Sequence, residues 1–304
     1  MKNKIRFIER MIRVENNCFA FVPIEITDKD GSIVKGCFLL DTGSNSDCLF
    51  ATAKEYLSPA DKKPEKTETL HTLGDDVVSN KHYSFSFNIG SRSFKETFVF
   101  IEQFSFYNVG GLPVFGLLGI GFMKKQRLSL DFNHYVLFET KEVDYEAIDA
   151  DKFSYIFSID QGLSTFGLPT IYMQGDEGYH VLLLDSGSDN NILTENLVNT
   201  GNVPCSLTDG LDLVNGLNGS EPMSVANVDF SLIGLTNGDE GKFIKHSAVV
   251  RLTKREYLAK INTGNKEYDE QIKLIIGLIG CPFISKQGWT IDFVNDLVYK
   301  KKAS

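Results

Sequence analysis

The sequence predicts a mainly β protein built from two similar lobes, and three observations carry that expectation. A short signature occurs twice, further landmarks recur with it in the same order, and the apolar segments are short, rich in Val, Ile, Phe and Thr, and separated by turn residues. The signature is Leu39-Leu40-Asp41-Thr42-Gly43-Ser44 and again Leu183-Leu184-Asp185-Ser186-Gly187-Ser188. One copy would carry little weight, because Asp and Gly are common turn formers. Two copies, 144 residues apart, imply two carboxylates brought together by a pseudo-twofold axis.

The repeat runs well beyond the signature. Phe115-Gly116-Leu117-Leu118-Gly119-Ile120-Gly121 and Ile276-Gly277-Leu278-Ile279-Gly280-Cys281-Pro282 follow the two copies, and Gly116 and Gly277 stand 161 residues apart. The same offset relates Leu130-Asp131-Phe132 to Ile291-Asp292-Phe293. The second half therefore holds 17 more residues between the landmarks, the difference between offsets of 161 and 144. Upstream, Val22-Pro23-Ile24 and Leu168-Pro169-Thr170 each open a strand-like run before their Asp. The expected lobes are residues 1–145 and 146–304, joined by a charged linker within Glu139 to Asp151.

Along each half the elements follow in one order. Phe19 to Ile26 alternates, Asp28-Lys29-Asp30-Gly31 turns, and Ile33 to Leu40 returns to deliver Asp41. Leu168 to Met173, the turn Gln174 to Gly178, and Tyr179 to Leu184 deliver Asp185 in the same way. Short helices are expected at Ala51 to Leu57 and Leu193 to Val198, with a further helical stretch at Lys254 to Ile261. Lys62 to Lys66 reads as a charged surface loop. Tyr83, Phe85, Phe87 and Ile89 alternate as a half-buried strand ending at Gly90, with Val225 to Ile233 as the counterpart.

Composition narrows the function. The chain has 304 residues, 42% hydrophobic and 23% charged, an ordinary globular balance. Its net charge of −9 opposes nucleic-acid binding. No apolar run is long enough for a transmembrane helix or a signal-peptide core, so the sequence reads as a cytoplasmic protein with no membrane association. The five cysteines (Cys18, Cys37, Cys48, Cys205 and Cys281) show no zinc or redox spacing and read as reduced thiols. His71, His82, His134, His180 and His246 share no metal spacing, so no metal and no cofactor is expected. Gly116 to Gly121 lacks the Lys-Ser/Thr and the βαβ context of a phosphate loop.

Two facing carboxylates cannot both ionise easily, so one proton is held between them. One acid then draws a proton from water and the other protonates a substrate carbonyl. Gly43 and Gly187 allow the tight turn, and Thr42 and Ser186 are placed to hydrogen-bond across the interface. Ser44 and Ser188 are expected to donate to the outer carboxylate oxygens. Asp131 and Asp292 also recur, but inside closing strands and without a following Gly, so they read as structural.

The paired apolar-apolar-Asp-[Thr/Ser]-Gly motifs, with Leu118-Gly119 and Leu278-Ile279-Gly280 behind them, resemble the pepsin/retropepsin superfamily of aspartic proteases. The resemblance runs from about Phe19 to Tyr299. It implies two β-barrel-like lobes with the active site between them, Asp41 and Asp185 as the catalytic pair, and an aspartic endopeptidase acting as a monomer on a peptide or protein substrate. Lobe length is similar to that of two fused, enlarged retropepsin units. The resemblance also implies a flap in each lobe. The candidates are Thr72, Leu73 and Gly74 in the first and Gly216, Leu217 and Asn218 in the second. A non-catalytic peptide-binding or scaffold protein is the alternative. A two-carboxylate glycoside hydrolase is the third, and the separation of the acids discriminates it.

Overall fold

A computed structural model describes residues 7–13, 18–28, 30–57, 68–70, 77–79, 81–102, 108–141, 154–156, 168–175, 178–199, 203–216, 219–236, 238–254, 266 and 275–301. The protein is mainly β, with two six-stranded barrels and a sheet between them.

The first barrel is closed, in the spatial order Phe21–Thr27, Ile33–Leu40, Val114–Leu118, Cys48–Phe50, Arg92–Ile101 and His82–Ile89. Phe21–Thr27 and Ile33–Leu40 form the expected hairpin, with Gly31 at φ 84° in its turn. In His82–Ile89 the side chains of Tyr83, Phe87 and Ile89 are buried, as the alternation predicts. The interior is filled largely by phenylalanine. Phe98 stacks on Phe38 at 5.1 Å and on Phe85 at 4.7 Å, and Phe87 stacks on Phe94 at 5.7 Å. Offset ring pairs of this kind add about 0.5–1.5 kcal/mol each beyond the burial of their area.

The second barrel runs Thr170–Gln174, Tyr179–Asp185, Ile275–Gly280, Ile192–Thr194, Gly238–Thr253 and Gly219–Thr236, and it closes where Met173 faces Leu232. Cys205–Gly216 adds an outer edge strand. The strand expected at Val225 to Ile233 is the middle of Gly219–Thr236, much longer than its counterpart. The core here includes Phe230, Phe283 and Trp289, with His246 packed edge-on to both Phe283 and Trp289. Burial lowers the His246 pKa to about 4, so the imidazole is a neutral core group at ordinary pH.

The halves meet in a six-stranded sheet whose central pair is Leu128–Asp131 against Thr290–Asp292. Ser129 faces Asp292, Leu130 faces Ile291, and Asp131 faces Thr290. Leu130 thus lies opposite its own counterpart at the 161-residue offset, so the pseudo-twofold axis passes between these two residues. Asp131 accepts from the backbone N–H groups of Asn133 and His134 and from the Lys301 ammonium at 2.8 Å. Burial pushes its pKa up, but Lys301 and the hydrogen bonds from His134 together outweigh that and leave it below the ordinary value. Asp292 accepts from the N–H groups of Val294 and Asn295. Both acids tie down a turn, which is the structural role expected of them.

Two helix expectations shift. The first helix covers only Ala53–Tyr56. The second is Glu195–Asn199, because Leu193 belongs to a buried strand paired with Leu252 and Gly277. Tertiary pairing overrides local periodicity there. Glu139, placed at the start of the linker, is instead the last residue of a strand paired with Leu128. The loop at Lys62 to Lys66, the stretch 255–261 and residues 142–151 of the linker lie outside the described residues. All five cysteines are free thiols. No helix among the described residues is long and apolar enough to cross a membrane.

Candidate active site

Each candidate acid stands where a hairpin strand ends. Ile33–Leu40 pairs in parallel with Val114–Leu118, and the Asp41 N–H donates to the Leu118 carbonyl at 3.0 Å. Tyr179–Asp185 pairs in parallel with Ile275–Gly280, placing Asp185 beside Gly280. The apolar residues before each acid are buried, so each strand is anchored in its barrel core before the chain turns.

The turns lock into each other. The Thr42 hydroxyl donates to the Leu184 carbonyl at 2.6 Å, and the Ser186 hydroxyl donates to the Leu40 carbonyl at 2.6 Å. Each hydroxyl also accepts the opposite backbone N–H, Ser186 from Thr42 at 3.0 Å and Thr42 from Ser186 at 2.9 Å. Both side chains are fully buried. Four hydrogen bonds thus hold the loops together where no water competes.

This lock brings Asp41 and Asp185 within hydrogen-bonding reach of one another. Oδ1 of each accepts the N–H two residues on, Gly43 at 2.8 Å and Gly187 at 2.9 Å. The glycines permit the approach. A Cβ on Gly43 would lie 2.6 Å from the Asp185 carboxyl, and one on Gly187 would lie 2.4 Å from that of Asp41. Burial is the main cause that raises both pKa values, and the Asp41 charge pushes Asp185 further up. The pair therefore retains a proton at a pH where isolated aspartates have lost theirs. An ionised carboxylate beside a protonated one can take a proton from a water and give one to an oxygen or nitrogen.

The apolar-apolar-Gly elements back the loops. Gly119 presses against the Ser44 and Ser46 carbonyl oxygens, and Gly280 against those of Asn190 and Ser188, so close that a Cβ at either would fall within 3 Å of an oxygen. The Ile120 N–H donates to Ser44 and the Cys281 N–H to Ser188, both at 2.8 Å. Gly116 to Gly121 is thus a backbone-packing element, and its glycines leave no cradle open. The sequence reading missed two supporting residues. Asp47 accepts the Gly119 N–H at 2.8 Å, and Asn191 accepts the Gly280 N–H at 2.9 Å. The 144-residue offset relates these two positions, which was the signal available.

One expectation is corrected. The Ser44 and Ser188 hydroxyls do not donate to the acids; they donate to the carbonyls of Ser46 at 2.8 Å and Asn190 at 3.0 Å. A serine in a tight turn bonds locally with its own backbone. The Ser44 and Ser188 backbone N–H groups donate to the backbone carbonyls of Asp41 and Asp185, at 3.4 and 3.3 Å. Of the flap candidates, Gly216 ends a hairpin strand and pairs with Gly219, with Leu217 and Asn218 between them outside the described residues. Thr72, Leu73 and Gly74 also lie outside the described residues, between the paired strands Glu68–Leu70 and Val77–Ser79. His71 lies in the same interval.

No protein-family model matches the chain, and no curated protein matches it. Solved structures share its fold. One is an aspartic proteinase from Irpex lacteus, which aligns with a TM-score of 0.53 and 10% identity over 98% of this chain and 98% of that one. The chain has the two-lobed fold seen in that proteinase.

Proposed function

We propose that the protein is an aspartic endopeptidase that hydrolyses peptide bonds with a water activated by Asp41 and Asp185. The observation that carries this reading is the contact between the two acids, each resting on the glycine of the opposite loop. A glycoside hydrolase would hold its carboxyls roughly 5 Å or more apart. A binding module would have no use for two buried acids that share a proton, each raised by burial. The fold shared with an aspartic proteinase supports the same class.

In the proposed reaction the ionised member of the pair takes a proton from water, and the oxygen attacks the scissile carbonyl carbon. The protonated member gives its proton to the carbonyl oxygen. Collapse of the tetrahedral diol then breaks the C–N bond, and the amine leaves with a proton from the dyad. The substrate is an extended peptide or protein segment, and both lobes come from one chain, so the working unit is a monomer. Thr42 and Ser186 act by holding the loops in register. The test is cleavage of a diverse peptide library from pH 3 to 8. Cleavage by the wild type that is lost in Asp41→Asn and Asp185→Asn is the expected result. Cleavage that survives in either variant would exclude the dyad.

A further inference from the structure

We propose that Asp47 works as a neutral, amide-like carboxyl behind the first acid-bearing loop, and that its ionisation gives this support a pH-sensitive step that its counterpart Asn191 lacks. The argument compares the two halves. In the second, Asn191 uses both ends of its amide: Oδ1 accepts the Gly280 N–H at 2.9 Å, and Nδ2 donates to the Val249 carbonyl at 3.0 Å. In the first, Asp47 Oδ1 accepts the Gly119 N–H at 2.8 Å. The ladders beside them match: the Asn191 carbonyl accepts from the Arg251 N–H at 2.8 Å, and the Asp47 carbonyl from the Val99 N–H at 2.9 Å. Val249 lies two residues before Arg251, and Thr97 lies two before Val99. The Thr97 carbonyl is therefore the counterpart of the one that receives the Asn191 amide proton. A carboxylate has no proton to offer there, whereas a neutral carboxyl has one.

The surroundings favour the neutral form. Burial raises the Asp47 pKa to about 7. Among the described residues, the charged groups that act on it are Glu96, on the strand Arg92–Ile101, and Lys125, at the end of the helix Ile120–Lys125. Lys125 Nζ is held by the two Glu96 oxygens at 2.7 and 2.9 Å, so the pair largely cancels. Asp47 acts on the dyad through the backbone. Gly119, which it holds, presses on the Ser44 and Ser46 carbonyls, and the neighbouring Leu118 carbonyl receives the Asp41 N–H. It is a positioning residue, and only the activity arm of its test rests on the peptidase reading.

The sign follows from linkage. The folded state keeps a proton that the unfolded chain releases near pH 4, so this residue's contribution to stability falls as pH rises from about 4 to about 7. The test measures melting temperature from pH 4 to 8 for wild type, Asp47→Asn, Asn191→Asp and the double swap. Asp47→Asn is expected to gain on wild type by several degrees between pH 4 and 7, and to hold that gain above pH 7. Asn191→Asp is expected to acquire a new fall over the same interval, and it still decides the matter if Asp47→Asn does not fold. With a cleavable peptide, Asp47→Asn should move the alkaline limb of the pH–rate profile upward. Parallel curves for wild type and Asp47→Asn, or no new fall in Asn191→Asp, would overturn the proposal. Failure of every variant to cleave would sink the peptidase reading, and the melting curves would still decide the role of Asp47.

Discussion

The loops 40–44 and 184–188 are near copies, while the residues that support them have diverged. Across the axis, the hydroxyl-to-carbonyl bonds are both 2.6 Å, and the N–H bonds to the hydroxyls are 3.0 and 2.9 Å. Behind the loops, Asp47 stands opposite Asn191 in the repeat. At the helix ends, Arg127 has φ 57° where its counterpart Gly288 has φ 62°. The hairpins differ most. Three-residue strands, Glu68–Leu70 and Val77–Ser79, precede the closing strands of the first barrel, and strands of 12 and 18 residues stand in the second. Symmetry survives where each half must complete the other. It lapses where each half answers only to its own surroundings.

The largest effect on folding is expected at the glycines. Gly43→Ala and Gly187→Ala each drive a Cβ into the opposite carboxyl, at 2.6 and 2.4 Å. Overpacking of this kind costs about 1–3 kcal/mol or more. Thermal melts should show similar losses for both, and peptide cleavage should vanish with them. A large loss in one and none in the other would break the twofold comparison.

The cross-loop lock comes next. Thr42→Val orphans the Leu184 carbonyl and the Ser186 N–H; Ser186→Ala orphans the Leu40 carbonyl and the Thr42 N–H. Each should cost about 1–3 kcal/mol in denaturant titration. The exchanges Thr42→Ser and Ser186→Thr keep the hydroxyls and should stay close to wild type.

The dyad itself should lower stability at neutral pH. Its raised pKa values mean that the folded state holds a proton the unfolded chain gives up above about pH 4. Stability therefore falls as pH rises through that range. Asp185→Asn removes an ionisable partner, so its melting temperature should exceed that of wild type at pH 7 and converge with it towards pH 4. A constant difference across that range would show that Asp185 does not hold its proton above the ordinary carboxyl range in the folded state.

The smallest effect is at the helix end. Arg127 adopts a left-handed conformation that its counterpart Gly288 adopts without a Cβ penalty. Arg127→Gly should stabilise the protein by about 1 kcal/mol, read as a raised denaturation midpoint. No gain would mean that the Arg127 side chain, which donates to the Lys141 carbonyl at 3.4 Å, offsets the backbone cost.

The two similar β lobes were legible because they rest on repeated patterns and on the resemblance those patterns carry. The pairing of the two closing strands into one central sheet was not, since neither strand says in sequence what it pairs with. A residue at offset 161 identifies the closing strands, and one at offset 144 identifies the loops. What the sequence hid depends on tertiary choice between bonds. Nothing in Ser44 or Ser188 says whether a hydroxyl turns to a carboxylate or to the carbonyl two residues on. Leu193 reads equally as helix or strand until Leu252 and Gly277 pair with it. The Asp47 and Asn191 pair was visible in the repeat, but it takes the Gly119 and Gly280 N–H groups to show their shared task.

The central claim is that Asp41 and Asp185 form one catalytic unit. Its most direct test compares cleavage of one peptide by Asp41→Asn, Asp185→Asn and the double variant. Groups that act as a unit are strongly non-additive. Each single change should lower the rate by at least about 10²–10⁴-fold, and the double should be no slower than either single. A single variant that cleaves near the wild-type rate, or losses that multiply in the double, would contradict the account.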